Sequence, residues 1–468
     1  MDGSGQGELW NRVHTHHGTH LRDSHLCGAD HFMSVTVSAT LAVNEALAEK
    51  RRRGLPVLPL GFGEAGLPVH PAMREALAAG GDKNAYGPVA GAAELRDAAA
   101  GYWQRRGLPT DPDLVVAGPG SKPLLYSLLL SLGGDTAAAA PSWVSYAAQA
   151  HLAGYRCLQI PTAPAQGGVP QPELLAAAVG RARAQGRDVR SVIVTAPDNP
   201  TGTLASEATV RRLAETAREL GLVVISDEIY RDLVHNDGER VHSAAEFAPE
   251  RTVVSTGLSK NLALGGWRLG VVRLPDSDLG RSLRADLLGV ASEIWSSPAA
   301  PIQQAAAYAF TEPRELTAHI RRSARLHGTV ARAAADRFAA AGAMAAAPQA
   351  AFYSYPDLEA WRDHLARRHG VTTGAELTGL LLEEYGVGVL PGSEFGDSPH
   401  ALRMRVATSL LYGETEDQRA TALESDDPLA LPWIADHLDR LSEVLELVGP
   451  REAPEDGAGP PTAAARCD

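Results

Sequence analysis

Short apolar runs alternate along the chain with segments whose apolar residues recur at helical spacing. Five runs are rich in the β-branched and aliphatic residues typical of strands: 114–117, 191–195, 222–226, 252–255 and 269–273. Helices are expected over 122–132, directly after the first run, and over 206–219, which begins with a Ser-Glu cap. Because fully apolar strands separated by helices are buried on both faces, the pattern predicts an α/β fold with a largely parallel, helix-covered sheet.

Polar residues follow these predicted strands at the ends where ligands bind in parallel α/β folds. In chain order they are Asn199 after the second run, Asp227 and Tyr230 after the third, Lys260 after the fourth, and Arg268 eight residues further on. Each one alone has an ordinary explanation as a turn, a helix cap or a solvated charge. Their succession at one edge of the sheet predicts a shared binding site instead.

Composition and charge narrow the possible partners. Of 468 residues, 44% are hydrophobic and 21% charged, which is typical of a globular protein. The formal net charge of −13 disfavours binding to nucleic acid or to an anionic membrane. Three scattered cysteines exclude a disulfide framework, and no apolar stretch reaches the roughly 18 residues of a membrane span. We therefore expect a cytoplasmic protein without a secretory signal.

The two ends of the chain differ in composition from the rest. Residues 1–33 are polar and hold six histidines, which could bind a transition metal, but no acidic or cysteine ligands stand at a recognisable spacing. We interpret them as a flexible leader and expect no metal site. Residues 449–468 are rich in Pro, Gly and Ala, and we expect them to be disordered.

The segment GLSKNLALGGWRLG, residues 257–270, resembles the pyridoxal-phosphate attachment signature of the class I and II aminotransferases. Other segments resembling this family follow in the family's order, among them NAYGPVAGAAELRDAAAGYW, PSWVSY, PDNPTGT, SDEIY, AAFYSYPDL and LRMRVATS. The resemblance covers residues 35–448. It implies a fold-type-I enzyme, whose large domain has a mostly parallel seven-stranded sheet covered by helices and whose smaller domain is α+β.

The same resemblance implies the division of the chain into domains. Residues 85–330 would form the large cofactor-binding domain and residues 331–448 the small domain, which the N-terminal segment 34–84 joins. Two segments depart from the family pattern. Residues 65–67 read Ala-Gly-Leu where the family has Pro-Asp-Phe at the substrate entrance. Residues 410–432 are longer and more acidic than usual, and could form a lid, an interface or a surface loop, of which we favour the loop.

The resemblance gives the strand-end residues roles toward pyridoxal 5'-phosphate, and their chemistry suits these roles. Lys260 would hold the cofactor as an imine and act as general base and acid, because a lysine can be desolvated and stay nucleophilic. Asp227 would pair with the pyridinium nitrogen. Tyr230 and Asn199 would hydrogen-bond the phenolic oxygen, which favours its anionic form. Trp143 would stack on the cofactor ring.

The resemblance also implies a phosphate site at the start of the helix after a Gly-Pro-Gly turn. There the backbone N–H groups of Ser121 and Lys122 and the helix dipole attract an anion. Arg268 would add a bidentate contact and Ser259 a further hydrogen bond. Tyr86 would reach the phosphate from the neighbouring subunit, which implies a homodimer with shared active sites.

For the substrate, alignment of LRMRVATS selects Arg403 as the residue that binds the α-carboxylate, and leaves Arg405 to the solvent. The backbone of Gly63 and the side chain of Asn199 would contact the same substrate. The expected reaction is transamination of an α-amino acid with a 2-oxo acid, in biosynthesis or specialised metabolism. Two alternatives stay open: γ-elimination or replacement, cyclisation or annulation of S-adenosylmethionine or a related amino acid, and a non-catalytic effector-binding domain.

Overall fold

The computed structural model describes residues 38–450. The predictions for the leader, residues 1–33, and for residues 451–468 of the tail lie outside these described residues. Within residues 38–450, no helix is long and apolar enough to cross a membrane.

The described chain alternates strands and helices as its apolar pattern predicts. The strands are β1 (Leu58–Pro59), β2 (Val115–Gly118), β3 (Asp135–Ala140), β4 (Cys157–Pro161), β5 (Val189–Thr195), β6 (Val223–Asp227), β7 (Thr252–Gly257), β8 (Gly270–Arg273), β9 (Tyr353–Ser354), β10 (Val387–Gly388), β11 (Leu390–Pro391) and β12 (Met404–Ala407). The helices are α1 (Ala39–Arg52), α2 (Pro71–Ala78), α3 (Ala93–Gln104), α4 (Ser121–Leu132), α5 (Ser145–Leu152), α6 (Pro172–Ala184), α7 (Glu207–Glu219), α8 (Asp278–Ile294), α9 (Ala300–Phe310), α10 (Arg314–Ala340), α11 (Arg362–His369), α12 (Gly374–Tyr385), α13 (Glu416–Glu424) and α14 (Pro432–Val448).

A central sheet of seven strands, in the order β2-β8-β7-β6-β5-β3-β4, organises the larger part of the chain. Neighbouring strands from β4 to β7 are parallel, and only β8 runs antiparallel to its two neighbours. The predicted mostly parallel, seven-stranded sheet is therefore confirmed. The ends of β5, β6 and β7 lie at one edge of this sheet, so that the polar residues after them come close together.

Two helix starts in the large sheet region follow directly from the sequence. The hydroxyl of Ser206 accepts a hydrogen bond from the backbone N–H of Thr209 at 3.2 Å, which caps α7 as predicted. At the start of α4, Gly120 has a φ of +97°, a conformation that residues with a Cβ rarely adopt. No side chain caps α4, so its first N–H groups remain available to a ligand.

A second unit is built around short strands and the C-terminal helices. Strands β11, β12 and β9 form an antiparallel sheet, and β1 pairs with β10. Leu58 and Leu60 pack in the same apolar cluster as Leu441, whereas Met73 of α2 packs with Trp103 in the cluster of the large sheet. The described part of the predicted segment 34–84 is thus divided between the two units. Likewise, the predicted boundary at residue 330 falls inside the continuous helix α10.

The long segment 410–432 is folded rather than a surface loop. It contains α13, which starts with a capping box between Thr415 and Gln418 and packs against α10. Leu423 and Tyr412 lie in the apolar core of the second unit, and the Tyr412 hydroxyl lies 2.6 Å from Nδ1 of the buried His327. The acidic residues of the segment occupy its exposed face, which is why its composition suggested a loop.

Candidate active site

Ten of the predicted site residues line one cavity of about 550 Å³ between the strand ends of the large sheet and the second unit. They are Gly63, Ser121, Lys122, Trp143, Asn199, Asp227, Tyr230, Ser259, Lys260 and Arg268. Two predicted residues, Tyr86 and Arg403, do not line it. Residues 65–67, expected at the substrate entrance, also lie outside the lining, although Glu64 belongs to it.

Lys260 carries its amine into the middle of this cavity from the loop after β7. Its Nζ donates a hydrogen bond to the carbonyl oxygen of Gly63. Burial lowers the pKa of Lys260 to about 8, and the positive charges of Arg405 and Arg268 act in the same direction. Because a larger fraction of the amine is then neutral near pH 7, Lys260 is more nucleophilic than an ordinary lysine.

Asp227 closes one end of the cavity and is 3% exposed. Its carboxylate accepts hydrogen bonds from the Ser255 hydroxyl at 2.8 Å and from the Tyr146 hydroxyl at 2.9 Å. Burial raises the pKa of Asp227, and these two hydrogen bonds oppose that effect. The carboxylate is thus fixed in place, and a cationic N–H group beside it would stabilise its charge.

Tyr146 is a site residue that the sequence reasoning missed. Its hydroxyl lies 2.8 Å from Oγ1 of Thr195 and donates to Asp227, so this helix residue links the carboxylate to the neighbouring strand β5. The available signal was its position as the last residue of PSWVSY, a segment selected for its tryptophan.

Tyr230 and Asn199 meet at the wall of the cavity, with Asn199 Nδ2 donating to the Tyr230 hydroxyl at 3.4 Å. The Tyr230 hydroxyl also lies 2.7 Å from that of Tyr353, a second residue that the sequence reasoning missed. Burial is the main cause that raises the pKa of Tyr230 well above its usual value, which keeps it a hydrogen-bond donor at neutral pH.

The opposite end of the cavity is cationic. A Cβ at Gly120 would clash with Nη2 of Arg268, and a Cβ at Gly270 would lie 2.5 Å from the backbone nitrogen of Ser121. Both glycines are therefore needed to bring the Arg268 guanidinium next to the uncapped start of α4. The side chain of Lys122 lies beside them, with Nζ 5.1 Å from the ring centroid of Trp143. Such an end suits an anion such as a phosphate.

The structure does not bring Arg403, which was expected to bind the substrate carboxylate, into the lining of the cavity. The Arg403 guanidinium forms ion pairs with Asp357 at 2.9 Å and with Asp397 at 2.7 Å. Arg405, which was left to the solvent, lines the cavity and is 2% exposed. Arg405 belongs to β12, whereas Arg403 precedes the first residue of this strand, so strand alternation does not govern the position of Arg403.

Arg405 is buried without a balancing charge. It donates to Asn199 Oδ1 at 3.2 Å and to the carbonyl oxygen of Gly61 at 2.6 Å, and lies between the rings of Tyr353 and Phe395. Its Nε makes no hydrogen bond, and no carboxylate within residues 38–450 pairs with it. A buried guanidinium of this kind is costly unless an anion binds to it.

Trp143 and Tyr86 are the two remaining residues that were predicted to contact the cofactor. Trp143 lines the cavity and packs edge-on against Tyr146, with ring centroids 5.3 Å apart. Tyr86 is 93% exposed and does not approach the cavity of its own chain. Its predicted contact with a phosphate would therefore need a second copy of the chain.

The side chains of the cavity fit pyridoxal phosphate. A fixed carboxylate, a lysine with a lowered pKa and a cationic end lie in one space, and the cationic end has room for a phosphate because Gly120 lacks a Cβ. Asp227 would face the ring nitrogen, Lys260 the aldehyde carbon, and Arg268 with the start of α4 the phosphate. Among the described residues, no group of three or more His, Cys, Asp or Glu side chains could hold a metal ion.

Comparisons with known proteins give a consistent result. The family model described as aminotransferase class I and II matches residues 56–410. The probable aspartate/prephenate aminotransferase of Thermus aquaticus is 32% identical over 84% of this chain and 96% of the relative, and the aspartate aminotransferase of Geobacillus stearothermophilus is 31% identical over 82% and 96%. The solved structure of the Thermus thermophilus aspartate aminotransferase with maleate has a TM-score of 0.73 at 27% identity, covering 87% of this chain and 97% of that one.

Proposed function

The chain belongs to the class I and II aminotransferase family, and we propose that within this family it transfers an amino group between an acidic α-amino acid and a 2-oxo acid. As a member it is a pyridoxal-phosphate-dependent transferase. The cofactor, when bound, supplies the electron sink that makes the substrate Cα–H bond acidic. The single observation that carries the proposal is the buried, unpaired guanidinium of Arg405 next to the amine of Lys260.

We assign the substrate α-carboxylate to Arg405. A planar guanidinium binds a carboxylate through two parallel hydrogen bonds, and no carboxylate within residues 38–450 pairs with Arg405. The bond from Arg405 to Asn199 fixes the orientation of the fork. Binding would therefore hold the Cα–H bond in one position relative to Lys260, which is how orientation contributes to catalysis.

The proton transfer is assigned to Lys260. Its pKa of about 8 leaves part of the amine neutral at physiological pH, so that it can accept the Cα proton and donate it again at the cofactor carbon. The hydrogen bond to the Gly63 carbonyl oxygen holds the amine on the substrate side of the cavity. In this assignment Asp227 and Tyr230 act on the cofactor ring, and Lys260 alone moves the proton.

The preference for an acidic substrate rests on Lys122. Arg268 is assigned to the phosphate and Arg405 to the α-carboxylate. Lys122 then remains as a further cation that lines the same cavity. Burial lowers the pKa of Lys122, and Arg268 lowers it further, so an anion at this point would be favourable. A side-chain carboxylate would meet this need, and several relatives are named for aspartate. Only the backbone N–H of Lys122 keeps its expected role toward the phosphate.

We further propose a homodimer in which Tyr86 reaches the phosphate of the partner. The exposure of Tyr86 and its absence from the cavity of its own chain support this arrangement. If the sites are shared, mixing Tyr86→Ala and Lys260→Ala variants should restore activity, because one site of the mixed dimer then has both residues. Absence of restoration would argue against sharing. The low cysteine content supports the additional proposal of a cytoplasmic location.

The substrate proposal is tested by single-turnover reactions with a panel of amino acids and S-adenosylmethionine, followed by the absorbance of the cofactor. Aspartate or glutamate should convert the cofactor to its amine form at lower concentrations than alanine does. Lys122→Met should remove this preference, whereas Lys50→Met should not, because Lys50 pairs with Glu383 away from the cavity. Turnover of S-adenosylmethionine without formation of the amine form would refute transamination.

A further inference from the structure

Tyr353 contacts both Tyr230, which is assigned to the cofactor, and Arg405, which is assigned to the substrate carboxylate. Its hydroxyl is 2.7 Å from the hydroxyl of Tyr230, and a Cβ at Gly63 would lie 2.5 Å from it. The guanidinium carbon of Arg405 lies 5.0 Å from the centroid of the Tyr353 ring. Tyr353 is completely buried, so its hydroxyl exchanges no hydrogen bond with bulk solvent.

The direction of the bond between the two hydroxyls follows from counting protons. A tyrosine hydroxyl has one hydrogen to donate and lone pairs to accept. If Tyr230 donates its hydrogen to the phenolic oxygen of the cofactor, it cannot also donate to Tyr353. The hydrogen between the two tyrosines must then come from Tyr353, which donates to the oxygen of Tyr230.

We propose that Tyr353 is a positioning residue, whose hydroxyl donates to Tyr230 and thereby directs the Tyr230 hydrogen to the phenolic oxygen of the cofactor. This inference rests on the proposed role of Tyr230. Asn199 Nδ2 is the other donor to Tyr230, but at 3.4 Å it is at the limit of a hydrogen bond. A hydroxyl that accepts a short hydrogen bond is itself a stronger donor, so Tyr353 strengthens the contact that Tyr230 makes.

The arrangement also connects substrate binding to the cofactor. Arg405 packs on the ring of Tyr353 and bonds the side chain of Asn199, so it contacts both donors to Tyr230. A carboxylate bound to Arg405 therefore acts on the phenolic oxygen through two chains of contacts. One runs through Asn199 to Tyr230, and the other runs through Tyr353 to Tyr230.

Other charged groups line the same cavity and also influence the titration of the cofactor. A substitution of Tyr353 leaves these groups unchanged. They come from the N-terminal segment, α4, β6, the loop after β7 and β12: Glu64, Lys122, Asp227, Lys260, Arg268 and Arg405. Replacing Tyr353 by Phe removes one oxygen and no charge. Any change in the titration of the lysine-bound cofactor then reports the lost hydrogen bond.

The test measures the pH midpoint of the absorbance change of the Lys260-bound cofactor in the holoenzyme. Donors to the phenolic oxygen favour its anionic form and lower this midpoint, so Tyr353→Phe should raise it, by about half a pH unit. Tyr230→Phe should raise it more, and the double variant should match Tyr230→Phe alone. Tyr355→Phe is the matched control, because the Tyr355 hydroxyl bonds Asp397 at 3.1 Å and does not line the cavity.

The outcomes separate this inference from the function on which it rests. A raised midpoint for Tyr353→Phe that disappears in the Tyr230→Phe background supports the positioning role. If Tyr230→Phe raises the midpoint and Tyr353→Phe does not, or if the two shifts add, the role of Tyr353 is refuted while that of Tyr230 stands. If Tyr230→Phe leaves the midpoint unchanged, both assignments are refuted.

Discussion

Two neighbouring regions of the molecule differ in whether their buried or partly buried charges have opposite partners. In the ion network of Arg106, Asp232 and Glu312, every charge has a partner: Arg106 contacts Asp232 at 2.8 Å and Glu312 at 2.6 Å. Asp232 also accepts hydrogen bonds from Tyr102 and Asn261, each at 3.0 Å. Although burial acts against it, the charge and hydrogen bond of Arg106 lower the pKa of Asp232.

The cavity lies directly beside this network, since Asn261 follows Lys260 in the chain. Its charges are left without opposite partners: Asp227 is held by neutral hydroxyls, Arg405 by an amide and a carbonyl oxygen, and Lys260 by a carbonyl oxygen. Burial therefore raises the pKa of Asp227 and lowers the pKa values of Lys260 and Arg405. Buried charges without opposite partners that gather in one cavity therefore indicate a ligand site, whereas the paired charges around Arg106 stabilise the fold.

Removal of the Lys260 amine from the cavity should have the largest effect on activity. Lys260→Ala should lower kcat by about 10⁴-fold or more, because both the covalent attachment and the proton transfer depend on this amine. The variant should still fold and retain some cofactor through Arg268, Ser121 and Asp227. Steady-state kinetics and cofactor content measure the two effects. Lys50→Ala, in an exposed pair with Glu383, should keep full activity, and a fully active Lys260→Ala would disprove the assignment.

The two arginines of LRMRVATS provide the next test of the comparison. Arg405→Ala should reduce kcat/KM for the amino acid roughly 10²-fold, because the substrate carboxylate loses its buried partner. Arg403→Ala removes a guanidinium that already has two carboxylate partners outside the cavity and should leave kcat/KM nearly unchanged. Parallel kinetics of the two variants decide between them. The reverse ranking would restore the choice made from the sequence.

In the network of paired charges, Asp232→Asn should destabilise the holoenzyme by about 1–2 kcal/mol without changing KM. The physical reason is that Arg106 would keep its buried charge but lose one of its two partners. Urea unfolding monitored at fixed protein and cofactor concentration measures the loss. Asp113→Asn, which affects an exposed pair with Arg96, is the matched control and should leave the midpoint in place. Equal effects of the two variants would contradict the distinction.

Asp198 is a buried carboxyl without a cationic partner that lies outside the lining of the cavity. Burial raises its pKa to about 7, so between pH 5 and 7 the folded protein binds a proton that the unfolded chain has lost. Stability should therefore fall as the pH rises through this range, by about 2 kcal/mol for this group. In Asp198→Asn, which keeps an acceptor for the Thr201 N–H, this slope should be absent. Unfolding at pH 5, 6, 7 and 8 measures it, and identical slopes would refute the assignment.

The sequence predicted the fold well where strands carry β-branched residues and poorly where they do not. The five predicted runs correspond to β2, β5, β6, β7 and β8 within about two residues. Strand β3, which reads Asp-Thr-Ala-Ala-Ala-Ala, was missed because alanine has a low strand propensity and shows no alternation. It forms because β4 and β5 pair with it on both sides, a tertiary effect that no local pattern reports.

The sequence could predict those site residues that follow the predicted strands in chain order. Lys260, Asp227, Asn199 and Arg268 could all be selected in this way, and they line one cavity. The sequence could not decide between Arg403 and Arg405. The decision depends on Asp357 and Asp397, which lie on other segments and pair only with Arg403.

Tyr146 and Tyr353 were missed for a similar reason. Each acts through a hydroxyl bond to a distant residue, Asp227 in the first case and Tyr230 in the second. Such partners, 81 and 123 positions away in the chain, become visible only when the fold brings them together.

The most direct test of the account is to trap the cofactor on the protein. Borohydride reduction of the holoenzyme, followed by proteolysis and mass spectrometry of the peptides, locates the lysine that carries the pyridoxyl group. The account predicts a single modified site, Lys260, whose pKa of about 8 and hydrogen bond to the Gly63 carbonyl oxygen within the cavity suit it to hold the cofactor. A pyridoxyl group on Lys122, or on no lysine, would contradict the assignment of the site and the proton transfer built on it.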